Sequence, residues 1–109
     1  MTDLEYDDLA ERLLRRVEDQ CDALNEELDV DIDNQRAGGL VTMAFAGGGQ
    51  IAINLQRPLH EIWMAARAGG FHYRWVDGAW RDTKTGNDFF ADLSELASDC
   101  AGRSLRFSA

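Results

Sequence analysis

The sequence predicts an α+β fold: a two-layer α-β sandwich in which an N-terminal and a C-terminal helix pack on one face of an antiparallel sheet of five to six strands. Apolar residues recur every three or four positions near both ends of the chain, as they do on one face of a helix. Between these segments, short stretches of alternating apolar and polar residues are separated by glycine-rich turns, which join antiparallel neighbours. The order helix, strands, helix favours two layers.

Length and composition indicate one domain that spans residues 1–109. Of the 109 residues, 45% are hydrophobic and 28% charged, which is typical of a folded chain with a single core. No apolar run reaches the roughly 18 residues of a membrane-spanning helix, and the N-terminus is acidic, unlike a targeting segment. We therefore expect a cytoplasmic, bacterial protein that does not bind membranes.

The first helix is predicted to run from Asp3 to about Asn25, with Asp3 as its N-cap. Its apolar face comprises Tyr6, Leu9, Leu13, Val17, Cys21 and Leu24. The early acids lie where the helix dipole favours negative charge. Glu18, Asp19 and Asp22 lie near the C-terminal end, where the dipole disfavours it. Helix stability therefore does not explain these three acids.

The strands are predicted at residues 29–35, 40–46, 50–56, 60–67 and 71–76, with a short piece around Trp80. Asn87 or Asp88 then caps a second helix, whose apolar set is Phe89, Phe90, Leu93, Leu96, Ala97 and Cys100. Leu105 and Phe107 are expected to pack back on the domain. Cys21 and Cys100 are too far apart for metal-ligand spacing, and both are expected to be buried free thiols.

The negative charge of the chain is concentrated in its first 33 residues. This segment holds 13 of the 20 acids and only three arginines, so its net charge is −10, and the other 76 residues add +1 to give −9 for the whole chain. A negative field on one side of the molecule attracts cations and basic partner surfaces and repels nucleic acid. Nucleic-acid binding is therefore disfavoured.

A subset of these acids forms the feature that we call the acidic ridge. Asp29, Asp31 and Asp33 alternate with Val30 and Ile32, so a strand there would point all three carboxylates to one face. Clustered carboxylates suit weak, exchangeable binding of divalent or trivalent cations, whereas the bland alternative is a solvated acidic face. The ridge comprises Glu18, Asp19 and Asp22 on the helix and Asp29, Asp31 and Asp33 on the strand, with Asp8 and Glu11 as weaker candidates.

Other site classes are poorly supported. An EF-hand loop starting at Asp29 would need glycine where Asn34 stands and glutamate where Leu40 stands. No nucleophile, phosphate-binding or dinucleotide motif occurs, and His60 and His72 are expected to be structural, so we predict a protein that is not an enzyme. On the sheet face opposite the helices, Trp63 is predicted beside Asn54 and Gln56, like the anchor of a protein interface. The alternative is a strand register shifted by one, with Trp63 in the core.

Taken in order along the chain, several segments resemble bacterial members of the frataxin family. They are the acidic first helix and strand, "AINLQRPLHEIWMA" at 52–65, "GGFHY" at 69–73 and "TGNDFF" at 85–90. The resemblance implies the α-β sandwich and a role in iron–sulfur cluster assembly, with ferrous or ferric iron bound weakly. It further implies that the acidic ridge binds iron and the cysteine desulfurase, and that Asn54, Gln56 and Trp63 face the iron–sulfur scaffold protein.

The resemblance leaves alternatives open. The chain would regulate the assembly machinery or supply it with iron, or it would be a purely protein-binding adaptor whose iron binding is incidental. Iron oxidation on the acidic ridge is a third, enzymatic reading. Leu55 stands where the family commonly has arginine, and Arg15 and Arg16 interrupt the helix acids and could divide the ridge into two patches. We expect a monomer, with metal-induced oligomers as an alternative.

Overall fold

The computed structural model describes all 109 residues and contains two α-helices, six β-strands and one turn of 3₁₀ helix. The elements are α1 (Asp3–Leu28), β1 (Ile32–Ala37), β2 (Leu40–Phe45), β3 (Gln50–Gln56), the 3₁₀ turn (Arg57–Leu59), β4 (Glu61–Ala66), β5 (Gly69–Val76), β6 (Ala79–Asp82) and α2 (Phe89–Ala101). The strands form one antiparallel meander in sequence order, and both helices contribute to the core on one of its faces. The predicted two-layer sandwich is confirmed.

The start of α1 differs from the prediction by one residue. Thr2, not Asp3, is the N-cap: its hydroxyl accepts a hydrogen bond from the Glu5 N–H at 3.1 Å, and the Glu5 carboxylate accepts one from the Thr2 N–H at 2.9 Å. This reciprocal pair satisfies two backbone donors at once, whereas an N-cap at Asp3 would satisfy only one. Asp3 lies in the first turn, where its charge still favours the helix.

The predicted first strand is wrong at its start, because α1 continues to Leu28 and β1 begins only at Ile32. Asp29 ends the helix in the left-handed conformation, with φ of 53°, and Asp31 has φ of 63°. The side chain of Asn25 binds both backbone groups of Ile32: its amide nitrogen donates to the carbonyl at 2.8 Å, and its oxygen accepts from the N–H at 2.7 Å. The loop thus breaks the alternation of residues 29–33, and only Asp33 lies in the strand.

The register of the central strands agrees with the prediction. Ile51 and Ile53 of β3 and Ile62 and Met64 of β4 are buried beneath the helices, while Trp63 is half-buried on the opposite face. The alternative with Trp63 in the core is therefore wrong. We call this second side of the sheet, which no helix covers, the open face.

The C-terminal part of the chain closes the core. Asp88 caps α2 by accepting hydrogen bonds from the N–H groups of Phe90 and Ala91 at 3.0 and 3.2 Å. Leu105 and Phe107 pack back on the domain and are buried, as predicted. Neither α-helix is long and apolar enough to cross a membrane.

The two cysteines differ from each other. Cys21 is a buried free thiol, and its burial raises the pKa to about 12. Cys100 is free but only half-buried, so the expectation that it is buried is wrong. It lies in the last turn of α2, beside the turn that joins β2 to β3. A Cβ atom at Gly49 in that turn would lie 2.8 Å from the Cys100 sulfur, so glycine permits the turn to approach the helix.

Candidate functional site

The six residues of the acidic ridge lie along the second half of α1, the loop that follows it and the first part of β1. Asp19 and Asp22 are exposed on α1, and Glu18 is half-buried beside them. Asp29 and Asp31 occupy the loop, and Asp33 lies on the open face of the edge strand β1. The prediction that Asp29, Asp31 and Asp33 share one strand face is therefore wrong, and Asp33 faces the side of the sheet opposite α1.

One end of this acidic region already has an internal cation. Arg36 on β1 reaches across to α1, where its guanidinium contacts the carboxylates of Glu11 at 2.6 Å and Glu18 at 3.1 Å. The hydrogen bond from Arg36 lowers the pKa of Glu11 below its usual range. Arg36 also donates from Nε to the Gly38 carbonyl at 3.2 Å, which holds its side chain in place.

Arg36, and not Arg15 or Arg16, divides the acids of the helix. Arg16 turns away and donates to the carbonyl of Ser108 at 3.1 Å, and Arg15 is exposed without an ion pair. Sequence reasoning missed Arg36, although its position four residues after Ile32 places it on the helix side of β1. Of the two weaker candidates, Glu11 pairs with Arg36, and Asp8 forms an exposed i,i+4 pair with Arg12 at 3.0 Å.

The rest of the acidic ridge has no such partner. Asp19, Asp29 and Asp31 make no ion pair and no side-chain hydrogen bond, and the contacts of Asp22 and Asp33, with Asn34 and Gln35, are long at 3.4 Å. No three histidine, cysteine, aspartate or glutamate side chains gather closely enough to hold a metal ion in a fixed geometry. The ridge therefore offers negative charge and oxygen donors without a rigid coordination site.

On the open face, two of the predicted partner-binding residues and a histidine form one row across the sheet. Asn54, Trp63 and His72 are successive cross-strand partners on β3, β4 and β5. The rings of Trp63 and His72 stack with centroids 4.2 Å apart and planes 6° apart. His72 thus supports the indole, whereas His60 is structural in a different way: its Nε2 contacts Asp3 at 2.7 Å and its ring stacks on Tyr6.

The adjacent row contains a buried charge that sequence reasoning missed. Gln56, Glu61, Arg74 and Arg81 are successive partners from β3 to β6. Although Glu61 points to the open face, it is only 5% exposed. Its Oε1 accepts a hydrogen bond from the Trp63 indole N–H at 2.8 Å, and its Oε2 accepts one from Arg74 Nε at 2.7 Å. The alternation that placed Glu61 and Trp63 on one face was the available signal.

The protonation state of Glu61 follows from these contacts. Burial acts to raise the pKa of the carboxyl, but the hydrogen bonds from Trp63 and Arg74 and the charge of Arg74 outweigh it. The pKa of Glu61 therefore lies below its ordinary value, and the group is ionised at neutral pH. A buried, ionised carboxylate with both oxygens occupied holds its neighbours in fixed positions.

One cleft of the surface contains a free thiol. The cleft between the β2–β3 turn and α2, about 410 Å³ in volume, is lined in part by Arg67, Asp99 and Cys100. Burial raises the pKa of the Cys100 thiol, which makes it a poor nucleophile at neutral pH. Neither histidine lines this cleft to act as a base.

Comparison with known proteins gives concordant matches. A family model of the frataxin-like domain matches residues 1–103. The iron-sulfur cluster assembly protein CyaY of Delftia acidovorans is 59% identical, covering 100% of this chain and 99% of that protein. The protein of the same name from Burkholderia mallei is 50% identical, with both chains covered completely.

Solved structures show the same architecture. The frataxin of Psychromonas ingrahamii is 31% identical and covers 100% of both chains with a TM-score of 0.86. A trimeric yeast frataxin complexed with ferrous iron is 24% identical, with 86% of each chain covered and a TM-score of 0.73, and at that identity it shows the fold alone. The family model spans nearly the entire chain and relatives at 50% identity or more align from end to end, and on these grounds the chain belongs to the frataxin family.

Proposed function

We propose that this chain acts in iron–sulfur cluster assembly, where it binds iron weakly on the acidic ridge and regulates the cysteine desulfurase and scaffold machinery or supplies it with iron. The observation that carries the proposal is the set of exposed ridge carboxylates that have no cation of their own. Their oxygens are donors that suit ferrous and ferric iron and other divalent or trivalent ions. The names of the close relatives support the biological context.

Weak binding follows from the dispersion of these donors. Since no three candidate ligands are gathered in one place, a bound ion keeps much of its water and exchanges readily. Iron is then a cargo that is passed on, which a tight site would hinder. Loop residues Asp29 and Asp31 add charge near the ion without fixing its position.

A second candidate function is favoured by Arg36. The carboxylates of Glu11 and Glu18 already bind one guanidinium, at 2.6 and 3.1 Å, and this pair shows how basic side chains fit the helix face. A basic surface of the cysteine desulfurase would make similar contacts with Asp19, Asp22 and Asp33. The chain would then be a protein-binding adaptor whose iron binding is incidental.

The open face is the surface that we assign to the scaffold protein. Asn54 and Gln56 present amides beside the stacked Trp63, which combines an aromatic anchor with adaptable hydrogen-bonding groups. We further infer a cytoplasmic, non-catalytic protein that is monomeric in the absence of metal. That residues 1–109 form a single domain stays a prediction.

An amide NMR titration distinguishes the two functions. Ferrous iron is added anaerobically to the labelled protein, and purified cysteine desulfurase is added in a second experiment. The first function predicts iron-induced broadening confined to residues 18–33 and perturbation of that same segment by the desulfurase. If the desulfurase perturbs the segment and iron does not, the adaptor function is retained and the first function is excluded. If neither perturbs it, both proposed functions are excluded. Magnesium at the same concentration controls for general charge screening.

A further inference from the structure

Two arginines lie directly opposite each other on the open face. Arg74 of β5 and Arg81 of β6 are cross-strand partners, and both are exposed. Like charges in this arrangement destabilise an antiparallel sheet. The pair stands out because the chain as a whole carries a charge of −9. An anion placed between the two guanidinium groups would relieve their repulsion.

The donors of this pair are largely free. Arg74 uses Nε for its bond to Glu61 at 2.7 Å, and its two terminal nitrogens make no hydrogen bond. Arg81 makes one long contact, from Nη1 to the Gly86 carbonyl at 3.5 Å. A guanidinium with free terminal nitrogens can bind a carboxylate through two parallel hydrogen bonds.

A rigid aromatic side chain adjoins the arginine pair. Trp63 lies one cross-strand row away from Arg74, on the same side of the sheet, at a distance of about 7 Å along the strands. Glu61 binds the indole N–H at 2.8 Å, and His72 stacks on the ring at 4.2 Å, so the indole is held from two directions. Because the side chain is already ordered, little conformational entropy is lost when a partner binds to it.

We propose that Trp63, Arg74 and Arg81 form a docking patch for an acidic segment of a partner protein, and that Glu61 is the positioning residue of this patch. An apolar side chain of the partner packs on Trp63, and its carboxylates bind the two arginines. The inference rests on the proposed function, in which the scaffold protein meets the open face, and it adds the chemistry that the scaffold must present there.

A protein segment fits this patch better than a nucleic acid does. The patch offers two exposed guanidinium groups, of which that of Arg74 already pairs with Glu61, whereas the acidic ridge of the same small molecule repels a long polyanion. A short run of aspartates and glutamates beside an apolar residue matches the spacing of Trp63 and the arginines without extending to the ridge. The two surfaces thus select partners of opposite charge.

The test measures the affinity of the purified scaffold protein for the wild type and for three variants over a range of salt concentrations. Arg81→Glu reverses one charge of the patch, Trp63→Ala removes the anchor, and Arg106→Glu is a matched control, since Arg106 is exposed in the C-terminal segment and makes no hydrogen bond or ion pair. We expect Arg81→Glu to weaken binding at least about fivefold at low salt, with the difference shrinking as salt screens the charges. The control should leave the affinity within about twofold.

The outcomes separate this inference from the proposed function. If Trp63→Ala weakens binding while Arg81→Glu behaves like the Arg106→Glu control, the open face is the scaffold surface but the arginine patch is not part of it. If neither variant weakens binding, the assignment of the scaffold to this face is itself wrong. The same variants are tested with a single-stranded DNA oligonucleotide. If the wild type binds it and Arg81→Glu does not, while Arg81→Glu still binds the scaffold protein, the proposal is also overturned.

Stability and spectroscopy exclude a merely structural role. Because Arg81→Glu places an acid opposite Arg74, its melting temperature should equal or exceed that of the wild type even as binding is lost. For Glu61, the NMR resonance of the Trp63 indole N–H should shift in Glu61→Ala and stay close to its place in Glu61→Gln, which keeps an acceptor oxygen. An unchanged resonance in Glu61→Ala would exclude the positioning role.

Discussion

Glu61 on the open face and the carboxylates of the acidic ridge are the same chemical groups in opposite circumstances. Glu61 is 5% exposed, and each of its oxygens accepts a short hydrogen bond. Asp19, Asp29 and Asp31 are exposed and have no partner in the protein. The first carboxylate stabilises the fold and fixes its neighbours, whereas the others repel one another, and in the proposed function a bound cation relieves that repulsion.

The proposed function assigns a different mode of binding to each surface. In the proposed function the open face meets its partner with Trp63 already held by Glu61 and His72, so its contacts would depend on fixed geometry. In the same proposal the acidic ridge binds through charge density, so it would tolerate different ions and different arrangements of basic side chains. Variants that remove the partnered carboxylate of Glu61 or the cation of Arg36 test this contrast.

The largest effect is expected from removal of the Glu61 carboxylate. Glu61→Ala leaves the Trp63 indole N–H and Arg74 without their acceptor, and we expect it to lower the free energy of unfolding by about 2 kcal/mol. Urea denaturation measures this loss. Glu95→Ala, an exposed change on α2, should cost no more than about 0.5 kcal/mol. Equal losses in the two variants would contradict the stabilising role of Glu61.

A smaller effect is expected where the acidic region has its own cation. Arg36→Gln removes the charge between Glu11 and Glu18, and we expect a loss of about 1 kcal/mol together with tighter binding of ferrous iron on α1. Anaerobic calorimetry with ferrous iron measures the affinity. Arg15→Gln is the matched control, since Arg15 is exposed and unpaired. If both variants bind iron as the wild type does, Arg36 does not compete for the helix acids.

The smallest effect concerns pH. Because the folded-state pKa of Glu61 is lowered, its contribution to stability is present above the unfolded value of roughly 4.3 and is lost as the pH falls through the folded value. Above pH 5, the wild type should be more stable than Glu61→Gln by a constant amount. Below about pH 4 the difference should shrink, as measured by urea denaturation at each pH. A difference independent of pH would contradict the lowered pKa of Glu61, because stability must change with pH wherever the folded and unfolded pKa values differ.

The sequence predicted those features that depend on local periodicity. The face of Trp63, Asn54 and Gln56 followed from strand alternation, and the core of α1 followed from helical spacing. The start of β1 was mispredicted because residues 29–33 alternate like a strand. In the structure the Asn25 side chain binds both backbone groups of Ile32, and the strand begins only at that residue. Those bonds join residues that a pattern does not connect.

Long-range pairing was also beyond the pattern. Arg36 meets Glu18 and Glu11 from 18 and 25 positions away, so its neutralising role depends on how β1 is docked beside α1. The burial of Glu61 likewise depends on Trp63 and on Arg74 of the next strand. The charge of the acidic ridge could be predicted, but which of its acids are free could not.

The most direct test of the contrast is thermal unfolding of the wild type and of the double variant Asp22→Asn/Asp31→Asn, with and without ferrous iron under anaerobic conditions. Without iron, the variant should melt about 2 to 5 °C higher, because two repelling charges are gone. With iron, the wild type should gain stability and the variant should gain less. A variant that melts lower than the wild type without iron, or that gains as much from iron, would contradict the claim that the ridge acids are kept for binding at a cost to the fold.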